Sequence, residues 1–207
     1  MTKARKQTRY SVHPGIAMVQ KWIETLPAKT GRSLDEWLAF INRKGPPTEE
    51  ERRTWLKTEL KLGTNTAWWL AERSVGKGAE EDTPEGYLQM AEQYVEAMFT
   101  GAKSGLRPLY DKLLDFCLNF APDIKACPGK TIVPLYRHHV IAQLKPTTRT
   151  RLDFGFALGG MKAEGRLIDT GGFAKKDRIT HRIEIKTPAD IDAEVERWFK
   201  RAYELDA

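Results

Sequence analysis

Apolar residues recur at helical spacing through the first third of the chain and with a period of two later on. Ile16, Val19, Trp22, Ile23 and Leu26 share one face of a helix that His13-Pro14 opens and Pro27 is expected to close. Ser33 to Glu36 and Thr48 to Glu51 both have the form of a capping box, in which a hydroxyl accepts one unbonded N–H and a Glu accepts another. The stripes behind them are Leu34, Trp37, Leu38, Ile41 and then Trp55, Leu56, Leu60, with stops at Gly45-Pro46-Pro47 and Gly63. Thr64-Asn65-Thr66 is expected to cap a short helix running through Ala67 to Ala71. Residues 11–76 thus read as a small all-α helical bundle, and the polar, glycine-containing stretch 77–83 as a linker.

Residues 84–207 read as a second domain. Thr83-Pro84 and Ser104 open two further helices. The pattern then alternates: Val140, Ala142, Leu144; Leu152, Phe154, Phe156, Leu158; Ile183, Ile185. Thr131 to Arg137 is another strand, confined by Pro134 to an edge or a bulge. Thr187 to Asp190 caps a closing helix. The strands stand too close in sequence for crossover helices, so the sheet is expected to be antiparallel. The fold class is α+β: an N-terminal helical bundle, then an antiparallel sheet with two preceding helices and a closing helix. Arg151 and Asp153 belong to the sheet face that the helices leave open.

Five of the six Trp lie in the bundle and are expected to form its core. Trp68 and Trp69 are adjacent, about 100° apart on a helix, so both cannot face one core. The pair is the bundle's candidate for partner contact. Residues 48–73 have the layout of a helix-turn-helix, but Thr64 to Arg73 offers base edges only Asn65, Thr66 and Arg73, too little for sequence-specific reading.

Charge changes this picture. The total of +6 hides 15 basic and 8 acidic groups over residues 1–77, 3 and 9 over 78–123, 13 and 5 over 124–186, and 3 and 6 over 187–207. The blocks carry +7, −6, +8 and −3, and residues 124–152 contain no acid. Composition excludes wholesale disorder, and no apolar run approaches the ~20 residues of a membrane span. The basic start has no apolar stretch after it, so a secretory signal is not expected, and two cysteines suit a reducing cytoplasm.

Candidate chemistry is sparse. His138 and His139 would point to opposite faces of a strand, one packed and one exposed, and cannot share a metal there. Cys127 sits near Lys130, where a cation could activate a thiol. Asp169 with Glu184-Ile185-Lys186 mimics the paired carboxylates and Lys of metal-dependent nucleases. No phosphate-loop motif is present. The stronger pattern is basic: Lys130, Arg137, His139, Lys145, Arg149, Arg151, Lys175, Arg178 and His181, all near strand ends, would form one patch for phosphates if they converge.

Two longer stretches carry a resemblance. His13 to Leu38, with Gly63 to Ala71, resembles the helical module catalogued as domain of unknown function 4287. Tyr94 to Glu204, especially Lys130 to Pro134, Lys145 to Arg151 and Ile168 to Arg178, resembles domain of unknown function 5655. The resemblance implies a two-domain architecture and a bacterial cytoplasmic setting, with no assigned activity. The order of elements is also similar in layout to frataxin-like iron chaperones, but the acid-free stretch argues against iron.

The reading is therefore a binding module for an anionic ligand, nucleic acid or a phosphorylated metabolite, with no metal, no cofactor, no membrane, and self-association through the bundle as an option. The alternatives are an enzyme using Asp169, Glu184 and Lys186 or Cys127, and an adaptor using Trp68 and Trp69.

Overall fold

A computed structural model describes residues 9–207; the basic opening stretch 1–8 lies outside the described residues. Two compact units emerge. One is Val12–Met90; the other is Ala91–Ala207 together with the described residues up to Ser11.

The helical unit holds α1 (Pro14–Thr30), α2 (Leu34–Lys44), α3 (Glu49–Thr58) and α4 (Thr64–Ser74). Both capping boxes form, at Ser33 and at Thr48. Leu26, Trp37, Ile41, Leu56 and Leu70 make the core. Three local expectations change. First, α1 runs through Pro27 to Thr30, where Gly31 in the left-handed region donates its N–H to the Pro27 carbonyl. A tertiary contact holds that last turn, since the Trp37 indole Nε1 donates to the Thr30 hydroxyl at 2.7 Å. Second, α3 stops at Thr58, and α4 has Gly63 at its N-cap with no side-chain cap bond. Third, the five Trp do not all enter the core: Trp22 and Trp68 are 37% and 52% exposed.

The segment read as a linker is fastened to this unit. Arg73 is buried and donates to both Asp82 oxygens, at 2.8–3.2 Å, and to the Lys77 carbonyl at 2.9 Å. Gly78 has φ 73°, and a Cβ there would stand 2.1 Å from Arg73 Nη1, so a side chain at this position would be strained and would displace the guanidinium. α5 (Pro84–Met98) opens with Gly86 N–H donating to the Thr83 hydroxyl, and it spans the boundary between the units.

The second unit is α+β, as the alternation implied. After α6 (Arg107–Phe120) come β1 (Lys125–Ala126), β2 (Val133–Tyr136), β3 (Val140–Pro146), β4 (Leu152–Phe156), β5 (Ile168–Asp169), β6 (His181–Ile185) and α7 (Ala193–Glu204). The six strands form one antiparallel sheet in the order β1-β2-β3-β4-β6-β5, two of them only two residues long. β2 has a bulge between Leu135 and Tyr136, next to Pro134. α7 takes its own N-cap, Asp192, while Thr187 and Asp190 close a 3-10 turn before it. Ala142, Leu144, Phe154, Phe156, Ile183 and Ile185 are all buried. Phe199 of α7 meets Phe154 at 5.4 Å and Phe120 of α6 at 5.1 Å, so these two helices close the inner face. No described helix is long and apolar enough to cross a membrane.

Candidate functional site

Strand register decides where the basic candidates go. β3 spans seven residues, so its ends stand about 20 Å apart at ~3.3 Å per residue. The β2–β3 turn brings Arg137 and His139 to one end. Arg178 joins them, its Nε donating to the Val140 carbonyl at 2.8 Å, and Lys175 lies three residues before it. The β3–β4 turn places Lys145, Arg149 and Arg151 at the other end, with Lys130 in the turn before β2. The nine candidates therefore do not form one patch.

At the first end the arginines are already engaged. Arg137 Nε donates to Asp123 at 3.1 Å, and its guanidinium lies 4.1 Å from the centre of the Tyr203 ring. The Asp206 side chain is 3% exposed and accepts four bonds: from the N–H of His138 and of His139 at 2.9 and 2.8 Å, from Arg178 Nη2 at 2.7 Å, and a contact with His139 Nδ1 at 2.9 Å. Burial opposes the charge on Asp206, but the His139 and His138 bonds and the Arg178 cation outweigh it and hold its carboxyl below the usual range. His138 and His139 lie in a turn and both are exposed, a correction to the strand reading of one packed and one exposed.

Beside Arg178 opens a cavity of about 550 Å³, whose wall includes Ala157, Gly159, Phe173, Lys176, Arg178 and Thr180. Phe173 is 63% exposed. Its ring lies on Gly160, where an added Cβ would come within 3.0 Å of it. The turn carrying it is fixed by bonds from the N–H of Lys175 and of Asp177 to the Gly172 carbonyl, at 3.1 and 2.9 Å. Lys175 and Lys176 are exposed on that turn. Sequence reasoning named the cations and missed the aromatic. The available signal was a Phe flanked by Gly171-Gly172 and by Lys175-Lys176, where no core stripe claims it.

The other end carries a lattice of ion pairs on the open sheet face. Asp153 and Glu184 are register partners on β4 and β6. Arg151 Nη1 and Arg182 Nη1 donate to Glu184 at 2.7 and 3.0 Å, and Arg182 also reaches Asp153 at 3.0 Å. Arg151 Nε lies 2.9 Å from Asp153 but off the hydrogen-bond axis, so that contact is an ion pair only. The Lys186 ammonium and Arg182 bonds pull the Glu184 carboxyl below its usual range, Arg151 adding to them. Lys130, Lys145 and Arg149 are exposed and make no ion pair among the described residues.

The nuclease arrangement does not form. Asp169 pairs with His181, three residues before Glu184 on the neighbouring strand. That register puts the two carboxylates on opposite sheet faces, with Cα atoms roughly 11 Å apart from strand rise and spacing. They cannot share a metal.

The family model for the domain of unknown function DUF5655 matches residues 95–206, more than half of the chain. The chain belongs to this family. A second model, for the domain of unknown function DUF4287, matches residues 18–72, from within α1 into α4. No curated protein and no solved structure matches the chain.

Two further candidates in the DUF5655 stretch prove structural. His181 is buried, with Nδ1 2.8 Å from the Thr180 hydroxyl and Nε2 3.0 Å from the Met161 carbonyl, so it is closed to a ligand. Cys127 is buried and its thiol is pushed up to about 12 by that burial, Lys125 opposing weakly, so it is not an activated nucleophile. In the DUF4287 stretch Trp68 is the exposed member of its pair, with Arg53 5.2 Å from its ring centre, and Trp69 is buried. Arg73, once considered for base edges, is consumed by Asp82.

Proposed function

We propose that the DUF5655 unit is a non-enzymatic binding module for a phosphate-bearing ligand with an aromatic base, single-stranded nucleic acid before a lone nucleotide. One observation carries this reading. Phe173 stands exposed in the wall of an open cavity that also holds Lys176, Arg178 and one carboxylate, Asp177, with Lys175 exposed on the same turn. An aromatic face stacks on any base, and the ammonium groups meet phosphates without base selectivity. Asp206 holds Arg178 in place at the rim. The separation of Asp169 from Glu184 and the buried Cys127 thiol speak against the two enzymatic alternatives. A bacterial, cytoplasmic setting completes the reading, supported by a chain whose two cysteines are both buried thiols.

Fluorescence anisotropy with labelled 12-nucleotide RNA and DNA, and competition by ATP, tests it. Binding is expected at low salt, falling as salt rises with a log–log slope of about −1.4 for two phosphate contacts on a single strand. Phe173→Ala is expected to weaken binding by about tenfold. No binding by any probe at low salt, or binding unchanged in both Phe173→Ala and Lys175→Ala/Lys176→Ala, overturns the reading.

A further inference from the structure

Arg178 links the cavity of the DUF5655 unit to a histidine outside its wall. His139 lies in the turn between β2 and β3 and is held at three points. Its N–H donates to Asp206 at 2.8 Å, its carbonyl accepts from the Arg137 N–H at 3.0 Å, and its ring Nδ1 lies 2.9 Å from the other Asp206 oxygen. The side chain is nonetheless 75% exposed. A surface ring fixed in this way loses little freedom when a ligand meets it.

Asp206 fixes where the ring carries its hydrogen. Despite its burial, its carboxyl is held below the usual range by the bonds from His139 and His138 and by the Arg178 cation. An ionised carboxylate only accepts, so Nδ1 is the ring nitrogen that bears the hydrogen. In the neutral ring Nε2 is then an acceptor, and it makes no bond among the described residues. Its neighbour is a cation. Arg178 Nη2 bonds the same Asp206 oxygen as His139 Nδ1, at 2.7 Å, so guanidinium and imidazole stand side by side. Arg178 Nε donates to the Val140 carbonyl, while Nη1 makes no bond among the described residues. That guanidinium also lies in the cavity wall with Phe173.

Cations alone draw the phosphates of RNA and DNA alike. An acceptor set beside one of them asks for a donor close to the phosphate. In a ribonucleotide the 2′-OH stands on the carbon next to the one that bears the 3′-phosphate, so donor and phosphate come as a close pair. The amino groups of a base are farther from that phosphate, and the base face goes to Phe173. A deoxyribonucleotide has no donor at this place. We propose that His139 selects RNA over DNA: with a phosphate on Arg178, Nε2 accepts the hydrogen of the adjacent ribose 2′-OH. Asp206 is the positioning residue that holds ring and guanidinium together. The inference rests on the function proposed above and names its ligand.

The test is fluorescence anisotropy of the full chain at about pH 8, above the ordinary histidine range. The probes are labelled single strands of one sequence with 2′-OH, 2′-H or 2′-fluoro sugars. Fluorine keeps the RNA-like sugar pucker but donates no hydrogen. The 2′-OH strand is expected to bind about fivefold more tightly than both others, the worth of one hydrogen bond. His139→Phe keeps a ring and removes both nitrogens. It is expected to bring RNA down to the level of DNA and to leave DNA binding in place, which also shows that the fold is intact. His138→Ala, at the exposed neighbour, is expected to keep the preference. Equal affinity for RNA and DNA, a 2′-fluoro strand bound as tightly as RNA, a preference kept in His139→Phe, or one lost in His138→Ala overturns this inference and leaves the phosphate-binding reading standing. Absence of binding by every strand overturns both.

Discussion

The two units hold their arginines on differently weighted sets of partners; of the +7 over residues 1–77, four cations (Lys3, Arg5, Lys6 and Arg9) precede the helical unit, whereas the +8 over 124–186 falls wholly in the α+β unit. In the helical unit Arg32, Arg53 and Arg73 lie over the rings of Trp37, Trp68 and Trp69, at 4.9, 5.2 and 5.5 Å from their centres. In the α+β unit Arg151, Arg178 and Arg182 lie on carboxylates, although Arg137 there also lies over the Tyr203 ring, and in the helical unit Arg53 and Arg73 also pair with Glu49 and Asp82. Secondary structure explains the difference in weight. A Trp-rich bundle sets wide aromatic faces beside its cations. An antiparallel sheet sets a side chain directly opposite one on the next strand, and here Asp153 meets Glu184 with Arg151 and Arg182 against them. Charge counted along the chain thus locates cations without saying which are left for a ligand. Pairing leaves Lys175 and Lys176 beside Phe173.

Arg73 tests this contrast hardest, because it has both a ring and a carboxylate. Asp82→Asn strips the charge from the partner of a buried guanidinium and is expected to cost about 3 kcal/mol, read as a lowered urea midpoint in Trp fluorescence. A loss under about 1 kcal/mol would mean that the Trp69 ring alone suffices to hold the cation.

The next largest effect is expected at Asp206. Asp206→Asn should cost about 2 kcal/mol at pH 7, since a buried carboxylate with four donors becomes a weaker acceptor. A depressed carboxyl contributes stability that is fully present above its unfolded value, about 3.9, and lost as pH falls through the lower folded value. The midpoint difference between wild type and variant should therefore shrink as pH is taken below 4. A difference that stays constant down to pH 2 would remove the carboxylate from the account.

The smallest effect is expected on the sheet face. Glu184→Gln should change stability by less than about 1 kcal/mol, because solvent screens partly exposed pairs, and 0.5 M salt should erase most of that change. A salt-insensitive loss above 2 kcal/mol would make the lattice a true support of the sheet and sharpen the contrast with the ring-held arginines.

Much of the fold is legible because its signals are local. Ser33 with Glu36 and Thr48 with Glu51 sit within one helical turn, and both capping boxes form. The alternation of Leu152, Phe154 and Phe156 specifies a strand and its buried side without reference to any neighbour. Pro27 shows the limit. Its local preference is to end a helix, and the contact of Thr30 with Trp37 carries the helix past it.

The candidate sites were less legible for the same reason. Sequence alone determined the helices, four of the six strands, the antiparallel class and the positions of the cations; the two-residue β1 and β5 are too short to show an alternation. Only tertiary structure decided that Arg137 and Arg149 stand at opposite ends of a sheet, that Asp169 and Glu184 face away from each other, and that Cys127 is an inert buried thiol. It alone set His139 and Arg178 on one oxygen of Asp206. Helix and strand formation depends on residues a few positions apart. Which charges meet, and which stay unpaired, depends on strand register and helix packing between residues far apart in the chain.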